Sequence, residues 1–130
     1  MDFDELSWFE VALPYPPSVN RMWRNFRGRT VLSRDGKAYK AEVQRLALAK
    51  GAELMTGSLR LRVKLLPKTK KDGSASAIVM DLSNCLKVAE DALQGVCYEN
   101  DRQVESIRLD YGDAVAGGGL IVRIEKLSDC

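Results

Sequence analysis

The chain has 130 residues, of which 45% are hydrophobic and 29% are charged. This is the length and composition of a globular domain, and we expect residues 1–130 to form a single one. The chain contains no histidine, which excludes Ser-His-Asp and Cys-His catalytic groups and zinc sites that need imidazole. The formal net charge is only +2, so overall charge does not identify a class of partner.

The sequence favours a cytoplasmic protein. No apolar run approaches the roughly 18 residues that a membrane span needs. The first charged residues are acidic and no apolar segment follows them, unlike a secretory signal. We expect residues 1–6 to be a disordered lead-in. The three cysteines, Cys85, Cys97 and Cys130, cannot all pair with one another, which favours a reducing compartment.

The first half of the chain predicts one strand and one helix. Residues 8–13 are rich in β-forming side chains and end at Pro14, which predicts a strand followed by a stiff, extended segment over 14–20. Residues 36–50 carry apolar side chains at helical spacing, and Gly51 can end this helix.

The second half predicts three strands and a second helix. Residues 58–66 alternate leucine or valine with arginine or lysine, the pattern of a half-buried strand. A helix over 81–95 follows, and then two strands over 104–111 and 120–127, with Gly117–Gly119 suggesting a hairpin turn before the last strand. The order β-α-β-α-β-β predicts an α+β, two-layer fold in which two helices cover a small mixed sheet.

The candidate chemistry lies on the predicted helix over 81–95. Its apolar residues fall within a sector of roughly 120°, and Cys85 in that sector is predicted to be a core residue. The opposite side carries four polar residues: Asp81, Asn84, Lys87 and Asp91. A helix N-cap is the simpler explanation of Asp81, and a surface ion pair is the simpler explanation of Lys87 and Asp91.

A second acidic cluster, Glu99-Asn100-Asp101, lies in the loop before the strand over 104–111. In a compact fold this loop could return beside the start of the helix, so that Asp81 and Asp101 share a hard cation through oxygen ligands, as Mg²⁺ requires. Mg²⁺ would polarise a phosphodiester and activate a water, and Lys87 could stabilise the charge that develops on phosphate. The alternative is a polar turn with no such role.

A basic segment runs from Asn20 to Lys40 and holds seven basic residues against one acid. Such side chains suit contacts with the phosphate backbone, which position a protein without reading bases. The candidate DNA-binding residues in this segment are Asn20, Arg21, Trp23, Arg24, Arg27, Arg29 and Lys37.

Two further groups in the sequence are candidates for DNA contacts. Trp23 and Phe26 could stack on an unpaired base or wedge between base steps; core packing is the alternative for both and is favoured for Phe26. In a predicted loop over 67–77, rich in Lys, Gly and Ser, the lysines could reach a phosphate backbone or could simply be solvated. These lysines are Lys68, Lys70 and Lys71.

Two blocks of the sequence are distinctive in combination. The first is LPYPPSVNR over 13–21, followed by Arg27-Gly28-Arg29-Thr30 and residues 33–39. The second contains Asp81-Leu82-Ser83-Asn84, Lys87, Asp91-Ala92-Leu93 and NDRQV over 100–104. At these separations and in this element order, the chain resembles the RusA family of Holliday-junction resolvases over roughly residues 9–127.

The resemblance implies a RusA-like fold and a homodimeric endonuclease that depends on Mg²⁺, with Mn²⁺ as an alternative ion. Such an enzyme would introduce paired, symmetric nicks in four-way DNA junctions during recombination and repair. Members of the family occur in bacteria, often within prophages, which implies a bacterial or phage-infected cytoplasm.

The family's site residues carry over by position. Three aspartates form the family's metal site and a helix lysine assists; Asp81 matches the first aspartate, Asp101 the last and Lys87 the lysine. Asn84 and Asp91 also match motif positions, as a candidate DNA contact and a further candidate metal ligand.

The middle aspartate of the family pattern is absent, because Asp-Leu-Asp-Asn reads Asp81-Leu82-Ser83-Asn84 here. One carboxylate fewer should weaken Mg²⁺ binding. Three outcomes are open: Ser83 holds the metal through a water, Asp91 or Glu99 supplies the missing charge, or the protein binds junctions and cuts them poorly. Beside a nuclease and a junction-binding protein that cuts poorly, a third functional hypothesis is a domain that serves protein–protein contacts. In that case the basic segment is merely solvated.

Overall fold

The computed structural model describes residues 7–127, which form a mixed four-stranded sheet, a two-stranded hairpin and three helices. A 3₁₀ turn at Asp101–Gln103 precedes the fifth strand. The elements in chain order are β1 (Trp8–Leu13), α1 (Val19–Met22), β2 (Trp23–Phe26), β3 (Arg29–Leu32), α2 (Arg34–Ala49), β4 (Leu59–Leu66), α3 (Leu82–Leu93), β5 (Val104–Tyr111) and β6 (Gly119–Lys126). This confirms the predicted small α+β fold with a mixed sheet.

The strand predicted most clearly, β4, lies at the centre of the packing. Its leucines and valine face the core, and its arginines and lysine are exposed. The buried strand residues align across three strands, as in the row Val11, Val122 and Val63. Successive side chains of a strand point to opposite faces of the sheet. The core face is therefore apolar and the other face is charged.

The predicted hairpin between the last two strands is wrong. β6 lies between β1 and β4 and is antiparallel to both, whereas β5 is parallel to β4 at the sheet edge, giving the order β1-β6-β4-β5. A crossover through α3 connects β4 to β5, as parallel neighbours require. Gly117 and Gly118 do adopt positive φ, but their turn leads the chain to a different place in the sheet.

The prediction of two helices omitted the short helix α1 and the hairpin of β2 and β3. Arg27 and Gly28 form the two-residue turn of this hairpin, with φ of 52° and 76°. Positive φ at both central residues matches the twist of the flanking strands. The arginine-rich segment is therefore a hairpin and not an irregular loop.

One side of the sheet is covered by α2 and α3, which enclose the hydrophobic core. On α3 the predicted apolar sector is buried, with Val88 in addition, and Leu82 and Leu86 are half-buried. Cys85 lies in this core as predicted, and burial raises the pKa of its thiol to about 12. Cys97 is also buried; Cys130 and residues 1–6 lie outside the described residues.

A close helix contact fixes the base of the hairpin. The Ser33 side chain caps α2 by accepting from the Gly36 amide at 2.9 Å, and its hydroxyl lies 3.1 Å from the Met22 carbonyl oxygen. A Cβ on Gly36 would lie 2.1 Å from that same oxygen, so only glycine allows α2 to begin here.

Within residues 7–127, no helix is long and apolar enough to span a membrane.

Candidate functional site

The first turn of α3 is organised around Asp81. Its Oδ1 accepts from the Asn84 amide at 2.8 Å and from the Ser83 hydroxyl at 3.0 Å, and its Oδ2 accepts from Asn84 Nδ2 at 2.9 Å. Asp81 is thus the N-cap that the spacing predicted. A carboxylate offers about four acceptor positions, and these three hydrogen bonds leave one on Oδ2 of this exposed side chain.

The second half of α3 forms one wall of a cleft of about 360 Å³. Asp101 also lines this cleft, as do Trp23 and Thr30 from the hairpin. The helix and its C-cap contribute four polar residues to it: Lys87, Glu90, Asp91 and, at the C-cap, Gln94. The structure therefore brings together four residues singled out in the sequence, Trp23, Lys87, Asp91 and Asp101.

The charged groups in this cleft have defined partners. Asp91 Oδ2 lies 3.5 Å from Lys40 Nζ of α2, which replaces the predicted surface ion pair with Lys87. Lys87 instead places Nζ 5.3 Å from the centre of the Trp23 ring, a cation–π geometry. Burial raises the pKa of Glu90, and the nearby charge of Asp101 raises that pKa further.

Asp101 is held at the cleft by a tightly bonded turn. The Asn100 side chain caps the turn by accepting from the Arg102 amide at 2.9 Å. Gln103 returns Oε1 to the Asn100 amide at 3.1 Å and donates Nε2 to the Met55 carbonyl oxygen at 2.8 Å. The polar turn expected as the alternative for this segment is therefore present, and it presents Asp101 toward α3.

Asp81 and Asp101 approach different parts of α3. The loop returns beside Glu90, nine residues after Asp81, and nine residues of α-helix rise about 13.5 Å. Two oxygen ligands of one Mg²⁺ lie within about 4 Å of each other. Among residues 7–127 of one chain, there is no group of three His, Cys, Asp or Glu side chains that could hold a metal ion. Glu99 lines a separate pocket beside Met55 and Gln103.

The candidate DNA-binding residues lie on several exposed surfaces. Arg24, Arg27 and Arg29 are exposed on the hairpin. Arg21 is exposed and pairs with Asp35 at 2.9 Å. The remaining candidates are Asn20 on α1, Lys37 on α2 and Lys68, Lys70 and Lys71 in the loop before α3, all exposed, and Asn84 on α3, which is half-buried.

Of the two aromatic residues of the basic segment, Phe26 is exposed, contrary to expectation, and Trp23 is half-buried. Phe26, for which core packing was favoured, has 46% of its surface exposed. Trp23 is half-buried and packs against the core. The reason is the hairpin, because Trp23 pairs with Leu32 at its base and Phe26 pairs with Arg29 at its tip.

Sequence reasoning missed two residues of the cleft. Glu90 follows Lys87 by one helical turn, so the spacing that selected Asp91 also placed Glu90 near the polar face. Lys40 was counted as a basic residue only, because its contact with Asp91 joins residues 51 positions apart in the chain.

Comparisons with known proteins identify the family to which this chain belongs. The family model described as Endodeoxyribonuclease RusA matches residues 14–125. A crossover junction endodeoxyribonuclease of Enterobacteria phage HK97 is 32% identical over 123 residues, covering 92% of this chain and 95% of the relative. One from Escherichia coli O139:H28 is 34% identical over 125 residues, covering 95% and 99%. The chain therefore belongs to the RusA endodeoxyribonuclease family.

Proposed function

We propose that the protein is a structure-selective endonuclease that resolves four-way DNA junctions by paired, Mg²⁺-dependent phosphodiester hydrolysis in recombination and repair. The observation that carries this proposal is the cleft that holds Lys87, Asp91 and Asp101 beside an arginine-rich hairpin. The relatives' name, crossover junction endodeoxyribonuclease, supports the same activity.

The candidate metal ligands are carboxylate and hydroxyl oxygens, which suit a hard cation such as Mg²⁺, with Mn²⁺ as an alternative. Asp91 and Asp101 would hold it from the cleft, and Asp81 with Ser83 from the first turn of α3. When bound, the ion would polarise the phosphodiester and lower the pKa of a water.

A homodimer would complete this set. Within one chain, Asp81 and Asp101 lie beside different parts of α3. We therefore infer that Asp81 of one copy meets Asp101 of the other. A two-fold dimer then contains two equivalent sites. Two sites related in this way also suit two symmetric nicks across a four-way junction.

The chain's own residues position and stabilise the substrate in this mechanism. The Lys87 ammonium, held over Trp23, would stabilise negative charge that develops on the scissile phosphate. Lys40 orients the Asp91 carboxylate through their ion pair. The exposed arginines of the hairpin would bind phosphates on either side without reading the bases.

The proposal predicts cleavage that depends on both junction structure and metal. A labelled four-way junction is incubated with the protein, with Mg²⁺ or with EDTA, beside a linear duplex of the same sequence. We expect paired nicks on the junction only when Mg²⁺ is present, and tight, salt-dependent junction binding in EDTA. Equal cutting of the duplex, or cutting in EDTA, would contradict the proposal.

A second candidate is a junction-binding protein with weak or lost cleavage. Ser83 favours it, because this neutral side chain stands 3.0 Å from Asp81 where the family pattern has an aspartate. Binding without cleavage in the same assay would select this candidate.

The variant Ser83→Asp tests the missing charge. It should lower the Mg²⁺ concentration for half-maximal cleavage by about tenfold, because it adds an anionic oxygen ligand. Without metal, the new carboxylate would repel Asp81, so Tm should fall in EDTA and rise more steeply with Mg²⁺ than for the unaltered protein. Ser83→Asn, which adds similar bulk without charge, is the control. If both variants respond alike to Mg²⁺, position 83 does not contact the metal.

A further inference from the structure

The tip of the β2–β3 hairpin presents an aromatic ring to solvent. Every residue from Arg24 to Thr30 is exposed, and the hairpin meets the core at its base, through Trp23 and Leu32. Phe26 therefore makes no contribution to the hydrophobic core, although it is a large apolar residue on a strand. The ring is therefore accessible to a partner outside the chain.

Two guanidinium groups lie close to the Phe26 ring. The Cζ atoms of Arg24 and Arg27 lie 5.3 Å and 5.2 Å from its centre. Arg27 also adopts a φ of 52° and is the single non-glycine residue with positive φ in the described chain. These contacts place two cations within 5.3 Å of the ring centre at the tip, and residues 23–32 contain three arginines and no acid.

This combination matches the chemistry of an unpaired or weakly stacked base between two phosphates. Aromatic side chains stack on any base face, and arginines contact the backbone beside it. The hairpin also lines the cleft of Lys87 and Asp101 through Trp23 and Thr30, so a DNA strand that enters the cleft would pass the tip.

We propose that Phe26 stacks on a base at the branch point of the junction and thereby contributes to selection of branched over linear DNA. The inference rests on the proposed function. In continuous duplex every base is already stacked, so insertion must first separate neighbouring bases. At a branch point that separation has partly occurred. Phe26 then favours junctions, while the arginines increase affinity for both forms of DNA.

The test measures binding of both DNA forms in EDTA, where no cleavage occurs. Phe26→Ala should weaken junction binding about tenfold, the effect of losing one stacked base, and change duplex binding less than about twofold. Phe26→Trp should retain junction binding and Phe26→Leu should not. Arg27→Ala should weaken both forms in parallel and reduce the salt dependence by about one counterion.

A junction with 2-aminopurine at the branch point reports on the stacked base itself. The unaltered protein should change its fluorescence and Phe26→Ala should not. Trp8→Ala is the matched control, because Trp8 is 51% exposed under Arg123 on the uncovered face of the sheet and should leave both readouts unchanged. Tm of the Phe26 variants should stay unchanged, because the ring is outside the core.

The outcomes separate this inference from the proposed function. Equal affinity of the unaltered protein for junction and duplex would overturn the inference, whereas equal cutting of junction and duplex would overturn the proposed function as well. Junction preference that survives in Phe26→Ala, with an unchanged 2-aminopurine signal, would overturn the inference alone. So would a loss of dimer in sedimentation velocity for Phe26→Ala, because the ring would then be a contact between copies of the chain.

Discussion

Replacing Asp81 or Asp101 with asparagine is expected to lower the rate of junction cleavage about a thousandfold or more, with junction affinity in EDTA changed less than about threefold. Each change removes one anionic oxygen ligand from a site whose function is to offset charge in the transition state. The measurement is single-turnover cleavage of a labelled four-way junction at saturating protein.

Asparagine is the informative substitution at position 81. It is as good an N-cap as aspartate, and its Oδ1 still accepts from the Asn84 amide and the Ser83 hydroxyl. Its amide faces Asn84 Nδ2, and a flip of the Asn84 amide restores that hydrogen bond. Tm should therefore hold while cleavage falls. A fall in Tm that matches the loss of cleavage would show that Asp81 acts only as a cap.

Asp101→Asn has a second readout that does not depend on cleavage. The charge of Asp101 raises the pKa of Glu90, after the larger effect of burial. Removal of that charge should therefore lower the Glu90 pKa toward its ordinary value, as measured by NMR titration. Asp113→Asn, a change at an exposed acid between β5 and β6, should alter neither the Glu90 pKa nor cleavage.

Mixed dimers distinguish a site within one chain from a site shared by two. If Asp81 of one copy meets Asp101 of the other, a dimer of one Asp81→Asn chain and one Asp101→Asn chain has one intact site and one doubly altered site. Mixing the two inactive variants should then restore single nicks. If both acids act within one chain, every site in the mixture carries one change and cleavage stays absent.

The elements that the sequence predicted are those in which hydrophobic spacing decides the structure. β4 alternates apolar and basic residues without a break, and α3 gathers its apolar residues in one sector, so each has a single way to bury its apolar side. Strand order is different. The spacing of apolar residues predicts which face of β6 is buried. It does not predict that β6 lies between β1 and β4, because that position depends on pairing between distant segments of the chain.

The hairpin escaped prediction because its sequence resembles a solvated basic segment. Its turn depends on Arg27 in the left-handed region, where asparagine or glycine is the usual signal. Once the hairpin forms, it decides which aromatic residue is covered. Its base half-buries Trp23, and its tip exposes Phe26, for which core packing was the favoured expectation.

The candidate site was predictable residue by residue but not in its assembly. The polar face of α3 and the acidic loop supplied Lys87, Asp91 and Asp101. Which half of α3 the loop contacts is decided by Tyr98, a buried residue whose hydroxyl donates to the Glu90 carbonyl oxygen at 2.8 Å. That bond directs the following turn toward the second half of the helix and away from Asp81.

Replacing Lys87 with methionine is expected to lower single-turnover cleavage by a factor of about 100 to 1,000, the usual cost of removing one group that stabilises transition-state charge. Methionine keeps the unbranched side chain and its packing on Trp23 while removing the ammonium. Because the loss concerns charge that develops during reaction, binding of the uncut junction in EDTA should change less than about threefold.

Two companion variants separate the Lys87 charge from its position. Lys87→Arg keeps the cation but replaces a compact ammonium with a planar guanidinium, so it should recover part of the rate. Lys50→Met, at the exposed C-cap of α2, removes a lysine outside the cleft and should cleave at the unaltered rate. If Lys87→Met loses junction affinity and cleavage in equal measure, Lys87 binds the phosphate backbone in the ground state and does not stabilise the transition state.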